Sequence, residues 1–342
     1  MTDDNLRDLL HDAVSDVHPD PALAEIRRRT RTSASSRRTG PWLVVPAAAA
    51  TVAVIAGGIA LLNQPDRAPA QVGGPAGSTS APATVSPVPA GPGPVERALA
   101  VYYVGDTPQG PRLYREFQRV LVAPYGPSVS EAVSQALQPP DDPDYRTAWP
   151  TGTRVDRDQV SPGGEVTVSL TNASADLRKR PAGVSDAEAT AGVQQLVYTV
   201  QAAAKNRNPV RIQLDDTFTD TLLGVDVSAP VPSLSQLSIL SLVSIADPAE
   251  GAVVRGSFVA GGVASSFEAN VPWQLTKDGT VVKKGFSTAA GWMDRLYPWQ
   301  TDPIDVSGIA PGSYTFVAMT DDPSSGEGGG PQQDTRTIVV RR

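Results

Sequence analysis

Residues 185–216 read SDAEATAGVQQLVYTVQAAAKNRNPVRIQLDD, and this stretch decides the fold. Ser185 and Glu188 have the spacing of a capping box, which begins helices. The apolar side chains that then recur at helical intervals are Val193, Leu196, Val197, Val200 and Ala204. The period changes to two over VRIQL, residues 210–214, which is typical of a strand. A helix followed directly by a strand predicts helices layered on a sheet.

The residues before this stretch repeat the alternation of strands and helices. ALAVYYVG, residues 98–105, alternates apolar positions and predicts a half-buried strand. SVSEAVSQAL, residues 128–137, begins with a second capping box, from Ser128 to Glu131, and predicts a second helix. EVTVSL, residues 165–170, predicts another strand. We therefore expect an α/β or α+β domain here.

This order of segments resembles a GerMN domain, the sporulation and germination module that also occurs in actinobacterial lipoproteins. The resemblance covers about residues 96–226, and its most specific part is QQLVYTV followed by the VRIQL strand. Asp215 and Asp216 stand where the module usually has a glycine.

Residues 237–342 contain short extended segments separated by turn residues, which predicts an immunoglobulin-like sandwich without its disulfide. TKDGT carries Asp278-Gly279, a dipeptide typical of hairpin turns. The run DPAEGAVVRGSFVAGGVASSFEANVPWQL, this hairpin and a later YPW resemble the immunoglobulin-like domain of bacterial spore-germination proteins. Such modules also occur on vegetative envelope proteins, so the resemblance does not imply a spore protein.

Residues 42–62 form 21 consecutive positions without a charge. A helix of that length spans about 30 Å, the thickness of a bilayer's hydrocarbon core. We predict an uncleaved transmembrane helix; a cleaved export signal and a buried core helix are the alternatives. Arginines are concentrated before the span, which places the N-terminus in the cytoplasm and the later domains outside. The predicted localisation is a single-pass protein of the cell membrane.

Residues 1–41 are interpreted as a cytoplasmic head. Apolar positions recur at helical spacing in residues 5–17, and we predict a short amphipathic helix there. Its candidate docking residues for a cytoplasmic protein partner are Leu6, Leu9, Leu10 and Val14. The alternative is a weak helix with no partner. The head resembles those of actinobacterial membrane proteins and anti-sigma-like sensors.

Residues 63–95 hold eight prolines and five glycines and are predicted to form a linker. The full organisation is therefore a head (1–41), a transmembrane helix (42–62), a linker (63–95) and a GerMN-like domain (96–226), followed by a short linker (227–236) and an immunoglobulin-like sandwich (237–342). The fold class is thus multi-domain: an N-terminal transmembrane helix, an α/β (α+β) GerMN-like domain and an all-β immunoglobulin-like sandwich.

Composition narrows the classes of function. The net charge is −7, and it belongs to the residues after the head, which argues against nucleic acid as a partner. There is no cysteine, so no disulfide stabilises the outer domains. Arginine greatly outnumbers lysine and alanine is abundant, which hints at a high-GC bacterial, actinobacterial genome.

The sequence after the head contains neither histidine nor cysteine. This excludes Ser-His-Asp and Cys-His nucleophilic systems and typical zinc sites outside the membrane. The acidic clusters Asp141/Asp142/Asp144, Asp215/Asp216 and Asp321/Asp322 lie beside Pro or Gly or at strand ends, and we interpret them as solvated turns. We predict no catalytic residue, no cofactor and no metal site.

The last domain is rich in aromatic residues, namely Phe267, Trp273, Phe286, Trp292, Tyr297 and Trp299. The sequence favours a core role for this set over a platform for cell-wall glycan. If some of these residues reach the surface, Trp292 and Trp299 are the candidate partner contacts. Glu268 is a third candidate, because strand alternation turns it away from the core.

These observations predict a non-enzymatic, membrane-anchored envelope protein. Its outer domains would bind a protein or a cell-wall polymer and act as scaffold or sensor. The alternative is a transmembrane regulator, anti-sigma-like, with a cytoplasmic partner-binding helix. A wall-active hydrolase is the least favoured class, since its two carboxylates would have to face each other across a sugar ring.

Overall fold

The computed structural model describes residues 93–126, 128–324, 326–327 and 329–342. The predicted head, the transmembrane helix and nearly all of the 63–95 linker lie outside these residues. No helix within the described ranges is long and apolar enough to cross a bilayer.

The first domain begins with a long antiparallel hairpin of β1 (Val95–Thr107) and β2 (Gly110–Val122). A short strand, β3 (Tyr145–Arg146), pairs with the other edge of β1, giving the order β2-β1-β3. The half-buried pattern predicted for β1 is wrong. Tyr102 and Val104 on one face are buried, and so are Leu99, Val101 and Tyr103 on the other face. Helices pack against both faces of the hairpin, so the side chains on both of its faces must be apolar there.

The two predicted helices of this domain are confirmed. The first, α1 (Val129–Ala136), has Ser128 at its N-cap, but the Ser128 side chain makes no capping hydrogen bond. In the second, α2 (Asp186–Ala204), the Ser185 hydroxyl accepts from the Glu188 N–H at 3.1 Å, as a capping box requires.

A four-stranded sheet lies beside α2, in the order β4-β5-β6-β7. Its strands are β4 (Arg154–Val160), β5 (Val166–Thr171), β6 (Val210–Leu214) and β7 (Thr217–Phe218). β5 and β6 are parallel, and α2 connects them as a βαβ unit. A small ribbon of β8 (Thr221–Leu222) and β9 (Val225–Asp226) and the short helix α3 (Gln236–Ile239) follow.

The second domain is a sandwich of a three-stranded and a five-stranded sheet with a two-stranded ribbon. The three-stranded sheet contains β10 (Val243–Asp247), β13 (Gly261–Ala264) and β16 (Tyr297–Gln300). The five-stranded sheet, in spatial order, contains β11 (Ala252–Val254), β19 (Gln333–Val340), β18 (Gly312–Met319), β14 (Asn270–Lys277) and β15 (Thr280–Thr288). The ribbon pairs β12 (Ser257–Phe258) with β17 (Ile304–Asp305).

The predicted hairpin turn at Asp278-Gly279 is confirmed. It joins β14 to β15, and both residues have positive φ, 49° and 76°, as a type I′ turn requires. The predicted strand over Phe267–Ala269 is wrong, because these residues form a single 3₁₀ turn in which Glu268 has a φ of 51°.

All described residues belong to one compact unit. The two domains meet where β2 pairs with the segment that leads into β10, since the Ser241 N–H donates to the Leu113 carbonyl at 2.9 Å. A shared apolar cluster lies at this junction; it contains Tyr102, Val104, Leu113, Tyr198, Ile239 and Leu240.

Candidate functional site

Two of the three predicted contact residues lie together at one end of the sandwich. Phe267 and Trp292 form an edge-to-face pair with ring centroids 5.2 Å apart. Trp292 is 36% exposed, and Glu268 and Met293 beside the pair are exposed as well. We call Phe267, Glu268, Trp292 and Met293 the aromatic patch.

Hydrogen bonds hold the loops that carry the aromatic patch. The Met293 N–H donates to the Ser265 hydroxyl at 3.1 Å, and the Ala289 N–H donates to the Ala269 carbonyl at 2.8 Å. The Asp321 N–H donates to the Ser266 hydroxyl at 2.6 Å. The patch is therefore displayed on a bonded framework and not on a free loop.

Trp299 does not belong to the patch. It is 3% exposed and packs in the core of the sandwich, so its prediction as a surface contact is corrected. Its position on β16 opposite Gly262 turns the ring inward. The core role favoured for the aromatic set is correct for Trp299 but wrong for Phe267, Phe286 and Trp292, which are exposed.

The predicted docking residues Leu6, Leu9, Leu10 and Val14 lie outside the described residues. Their role stays a prediction.

The acidic cluster at residues 141–144 is not a solvated turn, and that interpretation is corrected. Asp142 is 1% exposed, and its carboxylate accepts from the Arg336 guanidinium at 2.5 Å. Asp144 is exposed but accepts from the hydroxyl of Thr335. Both partners lie on β19, so the cluster joins the first domain to the last strand of the second.

Arg336 is the centre of this buried network. Its Nη1 lies 2.8 Å from the Tyr145 hydroxyl and 3.1 Å from Asp334, and its Nη2 donates to the Ile245 carbonyl at 2.9 Å. Tyr145 in turn donates to Asp334. Since Arg336 is itself only 3% exposed, its charge depends on these partners for stabilisation. We call this set the junction network.

The electrostatics of the junction network follow from two carboxylates sharing one guanidinium. Burial raises the pKa of Asp142 to about 7, against the lowering effect of Arg336. Burial also raises the pKa of Asp334. Burial works against the charged form of Arg336, but Asp334, Tyr145 and Asp142 together raise its pKa, so it stays protonated.

The sequence contained a signal for this network that its analysis missed. Along β19, Asp334 and Arg336 occupy the same alternate positions as Ile338 and Val340, all of them buried. Two charged residues in phase with an apolar face indicate a buried pair, because strand alternation points all four side chains inward.

The other two acidic clusters are surface turns. Asp215 and Asp216 form the two-residue loop between β6 and β7. Asp322 accepts from the N–H groups of Ser324 and Gly326, and Asp321 accepts from the Asn270 amide at 2.9 Å. Among the described residues, no group of three or more His, Cys, Asp or Glu is arranged to hold a metal ion.

Two family models match the chain. Residues 100–220 match the family described as sporulation and spore germination. Residues 242–327 match the immunoglobulin-like domain of bacterial spore germination. Both resemblances drawn from the sequence are thereby confirmed. The chain is β-rich and multi-domain, with a GerMN-like and an immunoglobulin-like domain.

Three solved structures are similar to parts of the chain. The first GerMN domain of the sporulation protein GerM from Bacillus subtilis is 15% identical, with 41% of this chain and 97% of that chain covered and a TM-score of 0.29. The tandem GerMN domains of the same protein are 10% identical, with 72% and 61% covered and a TM-score of 0.30. An engineered protein is 15% identical, with 44% and 36% covered and a TM-score of 0.23. No curated protein matches the chain.

Proposed function

We propose that this chain, which combines a GerMN domain with a germination-type immunoglobulin-like domain, is a non-enzymatic binding protein of the cell envelope. Residues 42–62 anchor it in the membrane with the N-terminus in the cytoplasm, and the two domains lie outside. They act together as a scaffold or sensor that binds an envelope protein or a cell-wall polymer.

The observation that carries this proposal is the aromatic patch. Large aromatic side chains usually contribute to a small sandwich core, yet Phe267 and Trp292 are paired on the surface. Aromatic residues at a surface are typical of protein contacts and of stacking on sugar rings, and Glu268 adds a hydrogen-bond acceptor beside them.

The junction network supports the proposal, because it fixes the orientation of the domain that carries the patch. Arg336 and Asp142 are buried together, and separating the domains would expose or unpair both. The first domain and the domain that carries the patch are therefore held in one relative orientation.

The test is co-sedimentation of the full-length protein with purified cell wall and, separately, with solubilised envelope proteins. Trp292→Ala should reduce binding at least fivefold, and Trp292→Phe should retain most of it. Phe286→Ala is the matched control, since Phe286 is an exposed aromatic residue on β15 outside the patch. Equal binding by Trp292→Ala and the unmodified protein would refute the role of the patch.

The regulator alternative stays a prediction, because residues 5–17 lie outside the described ranges. Exchanging residues 1–39 for an unrelated basic head separates the two functions. A scaffold keeps its cellular role after the exchange, whereas a regulator loses it.

A further inference from the structure

Along part of its outer edge, β2 carries main-chain groups that no described residue bonds. In an antiparallel pair, successive residues point their N–H and C=O groups alternately toward and away from the neighbouring strand. Leu113 points away from β1, since its carbonyl accepts from the Ser241 N–H. The β1–β2 register has no irregularity, so Phe117, Arg119 and Leu121 point the same way.

An independent contact confirms which residues of the hairpin point their main-chain groups outward. The Tyr102 N–H donates to the Thr199 hydroxyl at 3.2 Å on the side of β1 opposite β2. Tyr102 faces Arg115 in the register, so that pair is not bonded across the hairpin, as the alternation requires. Within the described ranges, no hydrogen bond reaches the outward main-chain groups of Phe117, Arg119 or Leu121.

Apolar side chains accompany this open edge. Phe117 is 44% and Leu121 is 69% exposed. Native sheets usually cover or shorten such an edge, because it pairs readily with another strand. Within the part of the chain that the structure describes, the segment at Leu240 and Ser241 bonds to its first part, and β10 continues beside it without a main-chain bond to β2.

A groove runs along the open part of β2, with the second domain as its opposite wall. That wall is formed by Ile245, Ala246, Asp247, Ala249 and Glu250, and Arg336 also lines the groove. Two basic residues, Arg119 and Arg336, line the groove. Its acidic residues are Glu116, Asp141, Asp247 and Glu250. Arg336 is already neutralised by the junction network, so the accessible charge of the groove is acidic.

We infer that this groove binds an extended peptide segment bearing lysine or arginine side chains, which adds as a strand to the outer edge of β2. The peptide main chain bonds to Phe117 and Arg119, and its apolar side chains lie on Phe117 and Leu121. Its basic side chains reach Asp141, Asp247 and Glu250. Strand addition of this kind derives affinity from main-chain bonds and specificity from alternate side chains.

The opposite wall favours a single strand over a second copy of the chain. In a second copy, β2 is already paired with β1 along one edge and faces its own second domain along the other. A separate peptide has no such obstacle.

The experiment uses the full-length protein in detergent and a labelled peptide, Lys-Thr-Val-Thr-Val-Thr-Lys, with fluorescence anisotropy as the readout. The same peptide with glutamate in place of both lysines should bind at least tenfold more weakly. N-methylation of the amides along one edge of the peptide should abolish binding, while methylation along the other edge should not. These comparisons do not depend on the folding of any variant.

Arg119→Pro tests the edge itself, because it removes an outward N–H and leaves the β1 ladder intact. It should weaken peptide binding at least tenfold, whereas the matched control Arg119→Thr keeps the N–H and most of the binding.

Equal binding of the lysine and glutamate peptides, or tolerance of methylation on both edges, would overturn the inference. Self-association that Arg119→Pro abolishes would assign the edge to a second copy and would also overturn it. The assay does not involve the aromatic patch, so this inference and the proposed function fail independently.

Discussion

Two aspartates hold left-handed backbone conformations at the hairpin between β6 and β7. Asp215 and Asp216 have φ values of 51° and 61°. Leu214 pairs with Thr217, so the loop has two residues and type I′ geometry, which favours glycine at its second position. We expect the free energy of unfolding of Asp216→Gly to exceed that of Asp216→Ala by about 0.5–1 kcal/mol, measured by urea denaturation.

The matched control for this turn is Asp216→Ala. Both variants lose the exposed ion pair with Arg157, which is worth at most about 1 kcal/mol. Only the glycine variant also relieves the left-handed backbone, so the alanine variant should be less stable than the unmodified protein. If both variants lost the same stability, the turn conformation would not be the cause.

The residue that sequence reasoning misplaced most clearly is Asp142. It lies in DDPDY, where neighbouring prolines and acids are typical of a solvated turn. Its partner Arg336 is 194 positions away in the sequence, so no local pattern shows the pairing. Burial of a charge is decided by such distant contacts, and these depend on how the domains dock.

At the scale of elements, local sequence patterns were sufficient to predict both helices of the first domain and the hairpin turn at Asp278. Capping spacing, helical period and turn dipeptides act over a few residues, so the sequence shows them directly. The exposure of Phe267 and Trp292 was not visible in this way. Alternation predicted a strand at Phe267, whereas the chain makes a 3₁₀ turn that lifts the ring onto the surface.

The pairing of β10 with β13 requires a glycine. Gly262 lies opposite Ile245, next to an irregularity in the register. A Cβ atom at Gly262 would lie 1.8 Å from the Ser244 carbonyl oxygen, a main-chain atom that cannot move without disturbing β10. We expect Gly262→Ala to lower the free energy of unfolding by about 2–4 kcal/mol, measured by thermal and urea denaturation.

Gly308→Ala is the control for this substitution. A Cβ atom there meets nothing within 4 Å, so the change should stay within about 0.5 kcal/mol of the unmodified protein. A Gly262→Ala protein as stable as Gly308→Ala would mean that β10 shifts freely.

At the scale of the whole molecule, the junction network should couple the unfolding of the two domains. Arg336→Met leaves Asp142 and Asp334 buried without a cation, which costs about 3–5 kcal/mol. We expect one calorimetric transition for the unmodified protein and two separate transitions for this variant. Arg211→Met is the matched control, because its ion pair with Glu165 is exposed and its loss should cost less than about 1 kcal/mol. A single transition in Arg336→Met would show that apolar contacts alone couple the domains.

The junction network also predicts how stability depends on pH. Burial raises the pKa of Asp142 to about 7 and raises the pKa values of Asp334, Glu116 and Asp247 in the same direction. Between about pH 4 and pH 7 the folded protein therefore holds protons that the unfolded chain has released, and its stability falls as the pH rises through this window.

We expect the free energy of unfolding to be about 1–3 kcal/mol greater near pH 5.5 than near pH 8, measured by urea denaturation. Asp142→Asn removes a group whose pKa is raised to about 7, so this variant should lose much of the difference. Surface aspartates such as Asp305, whose pKa is lowered by bonds from Ser307, change protonation below this window and leave the comparison undisturbed. Stability that rises with pH in the unmodified protein, or an unchanged slope in Asp142→Asn, would mean that the proton is not held at the junction.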